Sequence, residues 1–109
     1  MRAKIIFTLA LLLITADVSA QTIHEACSDL KRGATAIMTA RQNYMSKANA
    51  IAFSKTNDSL VNQIIRDMVD DAWAEPVQVD NIERKVAVGR FGAKIYNECV
   101  VLFKSGALK

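Results

Sequence analysis

The chain has 109 residues, a formal charge of +3, one histidine, two cysteines and one proline, and 51% of it is hydrophobic. That length suits one small domain. The charge is too mild for a nucleic-acid binder, whose phosphate contacts need a dense basic surface, and a single histidine beside two cysteines leaves too few ligands for a zinc site.

Met1-Arg2-Ala3-Lys4 is cationic, and Ile5 to Ile14 follows without charge, Thr8 being its one polar residue. Asp17 ends the apolar run, and Val18-Ser19-Ala20 offers small or modest side chains. Basic, apolar, then small is the order of a secretory signal. An apolar run of about ten residues falls short of the roughly 20 that a membrane-spanning helix needs. The expected outcome is therefore cleavage after Ala20, with Gln21 first, and a retained anchor is the lesser alternative. Residues 21–109 then form a single helical domain. Loss of Arg2, Lys4 and Asp17 takes the charge from +3 to +2. Nothing later is long and apolar enough to span a membrane, so the expected destination is the periplasm.

Cys27 and Cys99 both follow the cleavage point and would enter an oxidising compartment. Two cysteines allow one intramolecular pairing. A bond closing 72 residues is worth about 4 kcal/mol in the chain-entropy model, which matters to so small a core. A reactive thiol pair is the functional alternative, although no CxxC spacing supports it, and intermolecular pairing is the other.

From Thr22 the chain reads as helix. Thr22-Ile23-His24-Glu25 has the form of a capping box. Ile23, Ala26, Cys27, Leu30, Ala34, Ile37, Met38, Tyr44 and Met45 keep helical spacing, which predicts a first helix over 22–45. Residues 46–56 hold one or two turns, with Ala48, Ile51, Ala52 and Phe53 expected toward the core. Asn57-Asp58-Ser59 supplies N-cap chemistry. The next helix has the cleanest apolar face: Leu60, Val61, Ile64, Ile65, Met68, Val69, Ala72 and Trp73. Pro76 stops it.

Asp80 or Asn81 caps the last helix. Its expected core face is Ile82, Val86, Gly89, Ala93, Tyr96 and Val100, beside a neighbouring row of Val88, Phe91, Gly92, Ile95, Cys99, Leu102 and Phe103. Gly106 is the expected stop. Hairpin signals are absent. The fold class is all-α: a small disulfide-locked bundle of three main helices plus one short helix.

Candidate chemistry is sparse. His24 reads as a solvent-exposed first-turn residue without a second imidazole for metal or triad work. Asp67, Asp70, Asp71 and Glu75 fall opposite the apolar face, where solvated charge belongs; weak calcium binding is their alternative. Arg41 lies in phase with Ile37 and Met45 at the core edge. A snorkelling arginine that caps carbonyls is the structural reading. An ion pair with Asp67, Asp70 or Glu98, or a partner contact shared with Gln42, is the functional one. Trp73 belongs to the core or, partly exposed beside Pro76, to an interface. No catalytic residue, cofactor or metal is assigned, and the expectation is a protein that is not an enzyme.

Three stretches, "ACSDLKRGATAIMTARQ", "LVNQIIRDMVDDAWAEPV" and "FGAKIYNECV", together resemble a loose group of small exported helical proteins of Gram-negative bacteria and their phages. The resemblance covers nearly all of the chain after the signal. It implies secretion, helices and a Cys27–Cys99 bond, and it carries no mechanism. Many members carry a glycine soon after "RQ", where this chain has Asn43-Tyr44. Periplasmic acid-stress chaperones and phage-encoded periplasmic inhibitors of lysozyme or of lysis control share the outline without shared motifs. The expected function is a non-enzymatic periplasmic protein-binding module, an inhibitor or modulator of a cell-wall hydrolase or envelope component. The alternative is an acid-stress chaperone.

Overall fold

A computed structural model describes residues 20–106; the segment read as an export signal, residues 1–19, lies outside the described residues. Four helices follow one another: α1 (Ala20–Gln42), α2 (Lys47–Ser54), α3 (Ser59–Trp73) and α4 (Asn81–Ser105). The fold is the expected all-α bundle of three main helices and a short one. The Ala20–Gln21 bond, where cleavage is expected, lies in the first turn of α1.

The helix ends show why the chain breaks where it does. Asp58 accepts from the backbone N–H of Leu60 and Val61 and starts α3; Asp80 accepts from Ile82 and Glu83 and starts α4. The Ser46 hydroxyl accepts from Asn49 N–H at 3.1 Å and starts α2. Gly106 closes α4 at a φ of 84°, a left-handed conformation that glycine adopts freely. The first helix differs from its expected 22–45. Helix already runs at Ala20, so Thr22 and Glu25 lie inside it rather than at its start. Its other end comes earlier, at Gln42, because Tyr44 takes a φ of 65°. Met45 N–H then reaches the Ala40 carbonyl at 3.0 Å and Tyr44 N–H the Arg41 carbonyl at 3.1 Å. This is a Schellman stop with tyrosine in the glycine position.

α1 is the spine of the bundle. α4 packs antiparallel along it, and the two are joined where Cys27 and Cys99 form a disulfide with Cα atoms 5.5 Å apart. α3 lies along another side of α1, with Met68 beside Gly33 and Trp73 beside Arg41. α2 packs mainly on α3, and a Lys47–Asp70 ion pair of 2.8 Å links them. The core is Ala34, Ile37 and Met38 of α1, Met68, Val69 and Ala72 of α3, and Phe91 and Ile95 of α4. The α3 face is the expected one, except that Leu60 at its first turn is exposed.

Two expected faces are corrected. In α2 the buried residue is Ala50, with Ile51 half-buried, whereas Ala48, Ala52 and Phe53 are exposed. So short a helix buries one narrow edge, and Phe53 falls off it. In α4 the inward face is Ala87, Phe91, Gly92, Ile95 and Cys99. The row expected inside is instead exposed over Ile82, Val86, Gly89 and Ala93 and half-buried at Tyr96 and Val100. The disulfide gives the physical reason. Cys99 must face Cys27, and Gly92, Ile95 and Phe91 share its side of the helix. Gly92 also lets α1 come close: a Cβ there would stand 2.5 Å from Thr35 Cγ2.

Candidate functional site

The end of the bundle opposite the disulfide gathers the residues singled out around Arg41. α1 stops there, and the connection from α3 to α4, residues 74–80, crosses it. Ala74 and Glu75 N–H still bond to the Asp70 and Ala72 carbonyls of α3 at 3.1 Å. Beyond them, side chains of α1 and α4 reach backbone groups of the connection.

Arg41 is half-buried. Its Nε and one terminal nitrogen donate to the Glu75 carbonyl at 3.1 and 3.0 Å, and its guanidinium stands 5.8 Å from the Trp73 ring centroid. The carbonyl it caps follows α3 rather than ending its own helix. Among the described residues it makes no ion pair with Asp67, Asp70 or Glu98. Gln42 is turned inward and only 2% exposed. Its Nε2 donates to the Pro76 carbonyl at 3.0 Å, and its Oε1 accepts from Gln78 N–H at 2.8 Å. Both ends of the amide are thus engaged within the chain, where they set the path of the connection.

Sequence reasoning passed over Arg84 and read Tyr44 only as part of the apolar stripe of the first helix. Arg84 Nε donates to the Gln78 carbonyl at 2.6 Å, and a terminal nitrogen donates to the Tyr44 hydroxyl at 3.1 Å. The same guanidinium lies 5.3 Å from the Tyr44 ring centroid. Two signals for this pair were present in the sequence. A cation in the first turn of a helix opposes the helix dipole, so Arg84 needed another task. Tyr44 stands near the glycine expected after "RQ". The outcome is two arginine–aromatic pairs at one end of the molecule, with Trp73 half-buried and Tyr44 69% exposed.

The other candidates are dispersed. His24 is exposed at the disulfide end, where its Nδ1 and the Tyr96 hydroxyl are hydrogen-bonded at 2.8 Å with the rings edge to face. Asp67 accepts from Gln63, Asp70 pairs with Lys47, and Asp71 is exposed, so the acidic strip lies on the surface of α3. Among the described residues no three His, Cys, Asp or Glu side chains are grouped to hold a metal. No helix among them is long and apolar enough to cross a membrane. A groove of about 410 Å³ opens between α1, α2 and α3, floored by Gly33, Ala36 and Ala40 and walled by Met45, Phe53 and Met68. The one hydroxyl in its lining, Ser54, donates to the Ala50 carbonyl. The chain matches no protein-family model, no curated protein and no solved structure.

Proposed function

We propose that this is an exported, non-enzymatic binding module of the periplasm that docks on another protein, as an inhibitor or modulator of a cell-wall hydrolase or envelope component. The observation that carries the reading is the arginine–aromatic end. Arg, Tyr and Trp dominate the energetics of protein interfaces. Here they are already positioned: each guanidinium is tied to a backbone carbonyl and set against a ring. Side chains ordered before binding lose little entropy when a partner arrives. The export signal and the resemblance to small exported proteins support the compartment.

An acid-triggered chaperone would need carboxylates whose protonation opens the core. Both ion pairs among the described residues, Arg32–Asp29 and Lys47–Asp70, are on the surface, where such pairs contribute about 1 kcal/mol or less. The docking reading therefore has more to rest on.

The test is capture from periplasmic extract on the immobilised, oxidised chain, beside Tyr44→Ala and a Cys27→Ser/Cys99→Ser control. One stoichiometric partner, held by the oxidised chain and lost from Tyr44→Ala with helicity intact, is the expected result. Equal retention by Tyr44→Ala refutes the proposed surface. Many weak clients captured mainly at acid pH refute the docking reading.

A further inference from the structure

Gly89 and Gly92 stand one turn apart in α4 under opposite constraints. Gly92 is required by α1, since its Cβ would overlap Thr35. A Cβ at Gly89 would meet nothing within 4 Å. Glycine weakens a helix interior, and nothing inside the chain calls for it at this position. Along one line of the outer face its neighbours are apolar, with exposed Lys85 on one side of that line and exposed Arg90 on the other. Ile82 is 72% and Val86 47% exposed, and Ala93 is exposed as well. Ile82, Val86, Gly89 and Ala93 step by four, three and four residues, the spacing of a coiled-coil seam. Glu83 and Arg90 follow Ile82 and Gly89 along one edge of it, both exposed. Among the described residues neither charged side chain has an ion-pair partner within the chain.

We propose that this seam pairs with the same seam of a second copy, α4 against α4, antiparallel about a two-fold axis. The inference is independent of the docking end described above. In one antiparallel register Ile82 meets Ala93 of the second copy and Val86 meets its Gly89, so each bulky side chain faces a small one. The same register sets Glu83 beside Arg90 of the second copy, and the two-fold axis repeats the pair. A shift to the next seam register places Gly89 against Ala93, which leaves a void, and brings the two Arg90 side chains together, which repel. Shape and charge therefore select one register. The surface has the self-complementarity that an isologous interface demands: opposite signs along the edge, and large against small along the seam.

Sedimentation equilibrium of the purified oxidised protein over a concentration series tests this. The expected result is a monomer–dimer equilibrium. Gly89→Leu enters open space in the monomer, so its melting temperature is not lowered, while the added side chain blocks the approach of Val86 from the second copy. Its dimer dissociation constant rises about tenfold or more. Glu83→Arg and Arg90→Glu each place like charges together and weaken the dimer by a factor of about three to ten. The double variant Glu83→Arg/Arg90→Glu restores the pair with its signs exchanged and returns to within about twofold of wild type. A wild-type protein that stays monomeric at about 1 mM overturns the proposal. So does a dimer indifferent to Gly89→Leu, or a double variant no better than the single ones.

Discussion

Gln42 makes a sharp test of how the bundle is held. Its amide accepts from Gln78 N–H at 2.8 Å and donates to the Pro76 carbonyl at 3.0 Å, and Gln42 is 2% exposed. Gln42→Leu keeps the volume and removes both bonds. Gln78 N–H is part-buried, and orphaning it costs about 1–3 kcal/mol, with loss of the bond to the carbonyl adding about 1 kcal/mol. The expected loss is about 2–4 kcal/mol. At about 4–8 °C per kcal/mol for a domain of this size, the melting temperature falls by roughly 10–25 °C. Urea unfolding followed by circular dichroism and by the fluorescence of the single tryptophan, Trp73, measures it. Gln42→Glu adds a signed control. Its carboxylate would set a negative oxygen against the Pro76 carbonyl, whereas the protonated acid can donate to it. Burial and that carbonyl raise the introduced carboxyl's folded-state pKa above its unfolded value. The penalty is then complete above the folded pKa and fades as pH falls toward the unfolded one. A loss under about 1 kcal/mol for Gln42→Leu, or a Gln42→Glu deficit that does not shrink between about pH 7 and pH 4, refutes the reasoning.

Three further outcomes follow from packing and caps. Gly92→Ala, forced against Thr35, lowers the melting temperature, whereas Gly89→Ala, in open space, raises stability by about 1 kcal/mol; matched thermal melts of the two separate steric demand from helix propensity. Asp80→Ala removes the acceptor for Ile82 and Glu83 N–H and costs about 1 kcal/mol by urea titration. Cys27→Ser/Cys99→Ser opens a sequence separation of 72 residues and costs about 4 kcal/mol in the chain-entropy model; an unchanged unfolding midpoint would show that the bond does little for the unfolded chain.

What could be read in the sequence was whatever depends on near neighbours. Asp58 and Asp80 stand among the cap candidates the sequence offered, Gly106 is the stop it predicted, and all three act within three or four residues of themselves. The α3 stripe was also legible, because only one of its faces is apolar. α4 carries two apolar rows, and periodicity alone cannot rank them. The cysteine could have done so, since a residue bonded to Cys27 must point at α1. The arginine–aromatic end was half legible. Arg41 was placed at the core edge by its phase, but its carbonyl acceptor is 34 positions away. Gln42 was read only as a partner contact beside Arg41, because the backbone groups it satisfies belong to a distant connection. Tyr44 was read as one more apolar residue in phase, and its backbone conformation ends the helix instead.

The placement of the disulfide has a mechanical consequence. α1 and α4 run antiparallel, so Ala20 and Gly106 lie toward the same end of the bundle, each seven residues outside its cysteine. A pull applied at these two helix ends passes straight from α1 to α4 through the sulfur–sulfur bond. The stretch from Ser28 to Glu98, which holds the apolar core and the arginine–aromatic end, lies outside that line of force. A bundle held at these ends can be strained without its arginine–aromatic end being loaded, and reduction of one bond would route the whole tension through the core.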